Sequence, residues 1–234
     1  MKALILNSGL GSRMGDLTKE HPKCMTEIAP GETIVSRQLR MLADLGIRQV
    51  VMTTGYRDDI LTAYCRSLEL PVEFTFVKNP RYAETNYIYS IYCAREHLRD
   101  DILLLHGDLV FCREAAEKVL SFPGSCMTVS STLPLPEKDF KARIRDGKIL
   151  QVGVDVFGEG AAAAQAFYRL RREDWQVWLD EIGAFCEAGN TKVYAENALN
   201  VLEGRANIRA LDVKNLLCTE IDNEDDLKAV KAKM

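Results

Sequence analysis

A glycine-rich stretch near the N-terminus brings backbone donors close to two cationic side chains. Gly9 and Gly11 follow the short apolar run Lys2–Asn7. Arg13 comes next, and Lys23 lies ten residues further along the chain. Close glycines after a buried strand let backbone N–H groups approach an anion, and arginine and lysine bind phosphate through charge-assisted hydrogen bonds. This spacing predicts a triphosphate site whose two cations bind a leaving pyrophosphate.

The stretch lacks the spacing of two widespread phosphate-binding loops. A dinucleotide-binding fingerprint requires a third glycine where Met14 stands, and a Walker loop requires Gly-Lys followed by Ser or Thr. For the glycines alone, a plain structural turn remains an alternative interpretation. For Arg13 and Lys23, the alternative is a solvated cation on the surface.

Acidic side chains follow two other apolar runs. Asp108 comes directly after Leu105-His106-Gly107, at the carboxyl end of a predicted strand, where open α/β sheets place ligands. Asp108 is therefore well placed for a metal ion. Glu220 and Asp222 are two residues apart and lie on the same side of another predicted strand. Alternatively, Asp222 only helps to begin the last helix, a role that Asn223 fills equally well.

Composition and charge exclude several classes of protein. The chain has 234 residues, 47% of them hydrophobic, and a formal charge of −4, so it lacks the basic field that tracks a nucleic-acid backbone. No apolar stretch approaches the roughly 18 residues of a membrane span, and no signal peptide is recognisable. We expect a cytoplasmic protein without nucleic-acid or membrane partners. The seven cysteines form no C-x-x-C pair, so we expect free thiols.

The first half of the chain alternates between strand and helix patterns. Predicted strands are Lys2–Asn7, Gln49–Thr54, Val72–Val77 and Ile102–Leu105, and predicted helices are Ile34–Leu45, Asp58–Ser67 and Asn86–His97. Such βαβ alternation implies right-handed crossovers and a mostly parallel sheet that is buried on both faces. The predicted fold class is α/β, with a mixed, mostly parallel sheet and helices on both faces.

The second half is predicted to be mixed. Its predicted strands are Met127–Thr132, Lys141–Arg145, Lys148–Asp155, Ile208–Leu211 and Leu216–Thr219, with a turn at Asp146-Gly147. Its predicted helices are Ala161–Arg171, Asp174–Glu187, Tyr194–Leu202 and a last helix capped by Asn223. We expect one domain over residues 1–234, with a nucleotide-binding part at about 1–115 and an acceptor-side, metal-completing part at about 116–234.

The glycine loop, the Pro22-Lys23 pair, Gly107-Asp108 and the stretch from Glu220 to Asp222 resemble the signature of a nucleotidyltransferase family that makes nucleoside-diphosphate sugars and CDP-alcohols. The resemblance implies a Rossmann-like, GT-A-like nucleotidyltransferase fold. It also implies catalytic roles for Arg13 and Lys23 and a Mg²⁺ ion held by Asp108 and Asp222, in agreement with the preference of Mg²⁺ for oxygen ligands.

The resemblance further implies which residues contact the nucleoside triphosphate. They are Leu6, Asn7, Ser8, Gly9, Leu10, Gly11, Ser12, Arg13, Lys23, Gly55, Tyr56, Asn86, Ser90 and Gly107. Asn7 and Ser8 depart from the Ala-Ala-Gly opening usual in the family, at the positions where the backbone normally contacts the base.

A tyrosine-rich segment, residues 79–92, is similar to the phosphocholine cytidylyltransferase branch of the family, in which Asn86 and Ser90 match. Aromatic rings attract a quaternary ammonium group by cation–π interaction, so an aromatic cage for choline is expected. The residues expected to bind the acceptor are Tyr82, Tyr89, Glu196, Asn197 and Glu220.

The resemblance implies an enzyme that transfers CMP from CTP to phosphocholine or a similar small phosphorylated amino-alcohol, giving a CDP-alcohol and pyrophosphate. Three alternatives remain. The first is a sugar-1-phosphate nucleotidyltransferase. The second is a GT-A-like glycosyltransferase, which usually carries Asp-x-Asp where His106 begins the corresponding triplet here. The third is a non-catalytic nucleotide sensor.

Overall fold

The computed structural model describes residues 1–234 and contains one large sheet with helices packed on both of its faces. The strands are β1 (Lys2–Asn7), β2 (Glu27–Ala29), β3 (Glu32–Thr33), β4 (Gln49–Thr54), β5 (Glu73–Lys78), β6 (Ile102–His106), β7 (Leu109–Phe111), β8 (Ser125–Ser130), β9 (Lys141–Arg145), β10 (Lys148–Gly153), β11 (Ala161–Leu170), β12 (Ile208–Asp212) and β13 (Cys218–Glu220). The helices are α1 (Ile34–Asp44), α2 (Asp58–Ser67), α3 (Tyr87–Ala94), α4 (Arg113–Ser121), α5 (Arg172–Glu187), α6 (Ala195–Asn200) and α7 (Glu224–Lys231).

The nine-stranded sheet has the order β5-β4-β1-β6-β11-β8-β12-β10-β9. The N-terminal strands β5, β4, β1 and β6 are parallel, as βαβ alternation predicts, whereas β11 runs antiparallel to both β6 and β8. Two small ribbons, β7–β13 and β2–β3, stand outside the sheet. The predicted α/β class with a mixed sheet is confirmed.

Alternate residues of the central strands pack into two separate cores. On β1, Leu4 faces the core that contains α3 and α5, whereas Ala3 and Ile5 face the core that contains α1 and α4. Each fully buried leucine or isoleucine contributes about 1.5–3 kcal/mol to folding. This two-sided burial explains why β1 and β6 are continuous apolar runs rather than alternating ones.

Helix α1 begins where the sequence predicts and ends one residue earlier, at Asp44. Its N-cap, Thr33, accepts a hydrogen bond from the backbone N–H of Ser36, and the Ser36 hydroxyl accepts one from the backbone N–H of Thr33. At the other end, Gly46 has φ of 89°, a conformation that glycine adopts without strain. The helix is therefore fixed at both ends by its own sequence.

The predicted helix Ala161–Arg171 is wrong, because residues 161–170 form strand β11 in the centre of the sheet. Alanine has the highest helix propensity, but intrinsic propensity is weak compared with tertiary context, and pairing with β6 and β8 on either side outweighs it. Within this strand, Phe167 packs into the core that contains α1, and Tyr168 packs into the core that contains α3. Neighbouring side chains on opposite faces are typical of a strand.

Most other predictions are confirmed within a few residues. The turn between β9 and β10 falls at Asp146 and Gly147, both with positive φ, as a tight hairpin requires. Asn223 caps α7 by accepting hydrogen bonds from the backbone N–H groups of Asp225 and Asp226. Strand β13 lies within two residues of the predicted strand Leu216–Thr219, whereas helix α4, strand β7 and the β2–β3 ribbon are additional elements that the apolar pattern does not predict.

None of the helices has the length and apolar character needed to cross a bilayer. All seven cysteines are free thiols, in agreement with the prediction.

Candidate active site

A cleft of about 460 Å³ opens where β1 and β6 end. Its walls carry the glycine loop, Pro22-Lys23, the Gly107-Asp108 turn and Asp222. These segments come from both ends of the chain, and the sheet brings them together. Parallel strands end at one edge of a sheet, which is where α/β proteins place their ligands.

The glycine loop curves closely around Lys23. Gly11 has φ of 66°, and a Cβ atom added there would lie 3.0 Å from the Cβ of Lys23. The hydroxyl of Thr18 donates a hydrogen bond of 3.1 Å to the carbonyl of Gly11. The Gly11 position therefore favours glycine for both backbone conformation and space.

The ammonium of Lys23 lies between two carboxylates. Its Nζ is 2.6 Å from Oδ2 of Asp108 and 2.6 Å from Oδ1 of Asp222. Arg13, which also lines the cleft, contacts the same oxygen of Asp222 at 3.1 Å, and 67% of its side chain is exposed. The cluster thus joins the two predicted cations to the two predicted metal ligands.

Backbone hydrogen bonds fix the carboxylates in this arrangement. The N–H of Gly107 donates to the carbonyl of Leu6, and the N–H of Ile221 donates to the carbonyl of Asp108, each at 3.0 Å. Because Asn223 caps α7, Asp222 is not needed to begin that helix. Its carboxylate is directed instead to Lys23 and Arg13.

The charges of the cluster stabilise one another. Burial opposes the charged form of Lys23, but the carboxylates of Asp108 and Asp222 raise its pKa above the usual value. Burial likewise opposes ionisation of Asp108, yet Lys23 and His106 lower its pKa. The cluster therefore holds a lysine cation and an aspartate anion side by side.

The donor set fits a hard divalent cation. Asp108 and Asp222 offer oxygen atoms, and Oδ1 of Asp108 is buried without a hydrogen-bond partner. One ligand atom from each of His106, Asp108 and Glu220 also lies within 4.8 Å of the others. Mg²⁺ prefers such carboxylates together with water and substrate phosphates.

A second buried polar network, which the sequence analysis misses, forms the floor of the cleft. Nδ1 of His106 lies 2.7 Å from Oε1 of Glu220, and the ring of Tyr87 packs edge-on against His106 at 4.8 Å. Burial lowers the pKa of His106, but the Glu220 carboxylate outweighs it and raises this pKa to about 9. The Tyr87 and Tyr168 hydroxyls donate to Glu196. His106 is recognisable only by its place before Gly107-Asp108.

Ser8 and Ser90 come together beside the glycine loop. Their hydroxyls are 2.6 Å apart, and the side-chain amide of Asn79 donates to Ser90 at 3.0 Å. Asn86, the N-cap of α3, also lines the cleft. Helix α3 is thereby tied to the start of the loop.

Aromatic rings form one side wall. Tyr194 packs against Phe140 with ring centroids 4.9 Å apart and against Tyr87 at 5.9 Å. Tyr82 lines the cleft as well. Phe140 escapes the sequence analysis because it precedes β9, far from every motif.

The sequence of residues 3–122, just over half of the chain, matches the model of the MobA-like NTP transferase domain. The chain belongs to this family. Membership of the nucleotidyltransferases, expected from the motifs, is confirmed.

Similar proteins support the same family. A CTP:phosphoglutamine cytidylyltransferase of Campylobacter jejuni is 25% identical over 97% of this chain and 98% of its own length. A choline-phosphate cytidylyltransferase of Streptococcus pneumoniae is 29% identical over 47% of this chain and 46% of its own length. The solved structure of the Streptococcus pneumoniae CTP:phosphocholine cytidylyltransferase superposes with a TM-score of 0.76 at 17% identity, covering 99% of this chain and 98% of that one. That likeness confirms the fold.

In this MobA-like nucleotidyltransferase, most of the residues that were expected to bind nucleotide line the cleft. They are Leu6, Asn7, Ser8, Gly9, Leu10, Gly11, Ser12, Arg13, Lys23, Asn86, Ser90 and Gly107. Gly55 lies behind the wall, where an added Cβ atom would come within 2.5 Å of the carbonyl of Ser8. Tyr56 is directed away and donates to the carbonyl of Lys19.

Of the residues expected to bind the acceptor, the structure places Tyr82 and Glu220 on the cleft and three others off it. Glu196 is 1% exposed, and its carboxylate accepts hydrogen bonds from two tyrosine hydroxyls. Asn197 accepts a hydrogen bond from the backbone of Tyr194, and Tyr89 stacks on Tyr92. Glu196 and Asn197 border a separate neighbouring pocket of about 430 Å³.

Proposed function

We propose that this chain is a Mg²⁺-dependent cytidylyltransferase that transfers CMP from CTP to a small phosphorylated acceptor bearing an amino or quaternary ammonium group. The position of Lys23, within 2.6 Å of both Asp108 and Asp222 beside the glycine loop, carries the proposal. The CTP:phosphoglutamine cytidylyltransferase of Campylobacter jejuni and the choline-phosphate cytidylyltransferase of Streptococcus pneumoniae support CTP as the donor and a phosphorylated small molecule as the acceptor.

The reaction needs no dedicated base. The acceptor phosphate has a second pKa of about 6, so an ionised oxygen attacks the α-phosphorus, a new P–O bond forms, and pyrophosphate leaves with the electrons of the broken bond. Backbone N–H groups of the glycine loop orient the triphosphate. Arg13 and Lys23 stabilise the charge that develops on pyrophosphate.

Asp108 and Asp222 would hold the magnesium ion, which when bound neutralises charge on the phosphates. His106, protonated through its contact with Glu220, adds positive charge near Asp108. The protein side of the reaction is therefore positioning and charge neutralisation.

The aromatic wall supports an ammonium-bearing acceptor. The rings of Tyr87, Phe140 and Tyr194 meet at one corner of the cleft, and 38% of Tyr194 is exposed there. A desolvated ammonium group over such rings gains about 2 kcal/mol from cation–π attraction. Phosphocholine and phosphoethanolamine each carry a phosphate and an ammonium group, and phosphoglutamine carries a phosphate and an amino-acid group.

Release of pyrophosphate tests the proposal directly. Each of the four nucleoside triphosphates is incubated with Mg²⁺ and with phosphocholine, phosphoethanolamine, phosphoglutamine, 2-aminoethylphosphonate, glycerol phosphate or glucose-1-phosphate. We expect release with CTP and an ammonium-bearing acceptor, and much less with glycerol phosphate, which has the phosphate but no cation. Preferential turnover of glucose-1-phosphate would instead assign a sugar nucleotidyltransferase.

A further inference from the structure

A single buried glutamine of helix α1 donates hydrogen bonds to both ends of the Asp108 turn. Gln38 belongs to α1, is 1% exposed and does not line the cleft. Its side-chain nitrogen lies 2.9 Å from the carbonyl oxygen of His106 and 2.7 Å from that of Leu109. These two carbonyls flank Gly107-Asp108, so one side chain clamps the turn from behind.

The clamp requires a terminal nitrogen that can donate two hydrogen bonds. Two carbonyl oxygens face the same terminal atom, so this atom must donate twice, and the NH₂ group of glutamine supplies one hydrogen to each. A carboxylate would present only acceptors to the two carbonyls, and a thioether or hydrocarbon offers no donor. Glutamine is therefore suited to this position by its donors rather than by its size.

Packing alone gives no reason for an amide here. The Oε1 atom of Gln38 is buried without a hydrogen-bond partner, and burying an unpaired polar atom is unfavourable. An apolar side chain of similar shape would pack into the core beneath α1 without burying an unpaired polar atom. The amide instead fixes the backbone position of the turn by bonding to the carbonyl groups at both of its ends.

We propose that Gln38 is a positioning residue, which acts through the Gly107-Asp108 turn to hold the Asp108 carboxylate opposite Asp222. The inference rests on the proposed function, because it takes Asp108 as a metal ligand. The other two anchors of the turn, Leu6 and Ile221, are backbone groups on the sheet side and the β13 side. Gln38 is the anchor that comes from a helix and that a substitution removes.

The test compares Gln38→Met, which keeps length and loses both donors, with Leu42→Ala, a destabilising change in the same helix and core. Gln38→Asn, which keeps the amide but shortens its reach, is the milder variant. Removing an outer partner of a metal ligand costs about 10–100-fold in metal affinity or activity. We expect Gln38→Met to weaken Mn²⁺ binding to the nucleotide-free protein by about that factor, measured by electron paramagnetic resonance, with a smaller loss for Gln38→Asn.

Two further readouts separate positioning from instability. High Mg²⁺ should restore part of the kcat of Gln38→Met, and amide hydrogens of residues 107–109 should exchange faster than in Leu42→Ala. Mn²⁺ affinity equal to that of Leu42→Ala would overturn the role of Gln38 while leaving the proposed function intact. If Asp222→Asn bound Mn²⁺ as the wild type does, the metal site and the proposed function would fail together with this inference.

Discussion

The ammonium of Lys23 and the carboxylate of Asp222 lie 2.6 Å apart although 199 positions separate them in the chain. The contact joins the first strand–loop unit to the segment that follows β13. It also places a cation from the triphosphate loop beside an acid of the metal site. The proposed roles of these residues depend on this arrangement and on the turn that carries Asp108.

Lys23→Ala should lower kcat for pyrophosphate release by about 10²–10³-fold, by analogy with the loss of one preorganised donor to a developing charge. The protein should stay folded, because the Lys23 side chain contacts the cleft rather than either large core. Lys19→Ala is the matched control, since Lys19 is exposed and pairs only with Asp16. Near-normal kcat for Lys23→Ala would remove the lysine from the mechanism.

Asp222→Asn should raise the Mg²⁺ concentration that gives half-maximal activity by at least about tenfold. Even the loss of a residue that only hydrogen-bonds to a metal ligand weakens metal binding by about that factor. The free energy of unfolding should change little, because Asn223 still caps α7. Asp225→Asn, at an exposed position of the same helix paired with Lys228, should behave as the wild type. An unchanged Mg²⁺ requirement for Asp222→Asn would contradict its assignment as a ligand.

Gly107→Ala should destabilise the protein by about 1–3 kcal/mol, the usual cost of overpacking. An added Cβ atom would lie 1.6 Å from Oδ1 of Asn7 and 2.8 Å from the carbonyl of Leu6. Gly124→Ala, whose nearest neighbour is 3.9 Å away, should change stability by less than about 0.5 kcal/mol. Urea unfolding of both variants measures the difference, and equal stabilities would show that the space beside Asn7 is open.

The His106–Glu220 pair should make stability depend on pH in metal-free buffer. Despite burial, the Glu220 carboxylate raises the folded-state pKa of His106 from its ordinary value of 6.5 to about 9. Below pH 6.5 His106 is protonated in both the folded and the unfolded protein, and its full contribution to the free energy of unfolding is present. Between pH 6.5 and 9 the unfolded protein loses this proton while the folded protein keeps it, so the free energy of unfolding falls as the pH rises. The shift corresponds to about 3 kcal/mol.

Urea unfolding of the wild type and His106→Gln should therefore show a stability gap that shrinks as pH rises from 6 to 9.5. His97→Gln, at an exposed histidine outside the cleft, is the control. A gap that stays constant over this range would mean that His106 is neutral in the native protein.

Local sequence patterns were sufficient to predict the elements that carry the main motifs. Strands β1, β4 and β6 are apolar runs buried on both faces, and α1 carries its own stop signal in Gly46. The exception is β11. Its alanine run favours a helix locally, and only the neighbouring strands β6 and β8 make it a strand.

Residues that act through distant contacts were not predictable from motifs. In the sequence, Gln38 looks like an ordinary polar residue of an amphipathic helix. Only the structure shows that it donates hydrogen bonds to the two carbonyl groups that flank the Asp108 turn. The sequence predicts that Glu196 binds the acceptor, but in the structure the hydroxyls of Tyr87 and Tyr168 donate hydrogen bonds to its carboxylate. Both cases depend on pairings across more than 25 residues, which spacing along the chain does not encode.

The most direct measurement is a crystal structure of the protein with Mg²⁺ and a non-hydrolysable CTP analogue. We predict phosphates within hydrogen-bond distance of the backbone N–H groups of residues 9–12 and of Lys23, with the metal bound to Asp108 and Asp222. A nucleotide bound away from Gly11, or a metal bound without either aspartate, would contradict it.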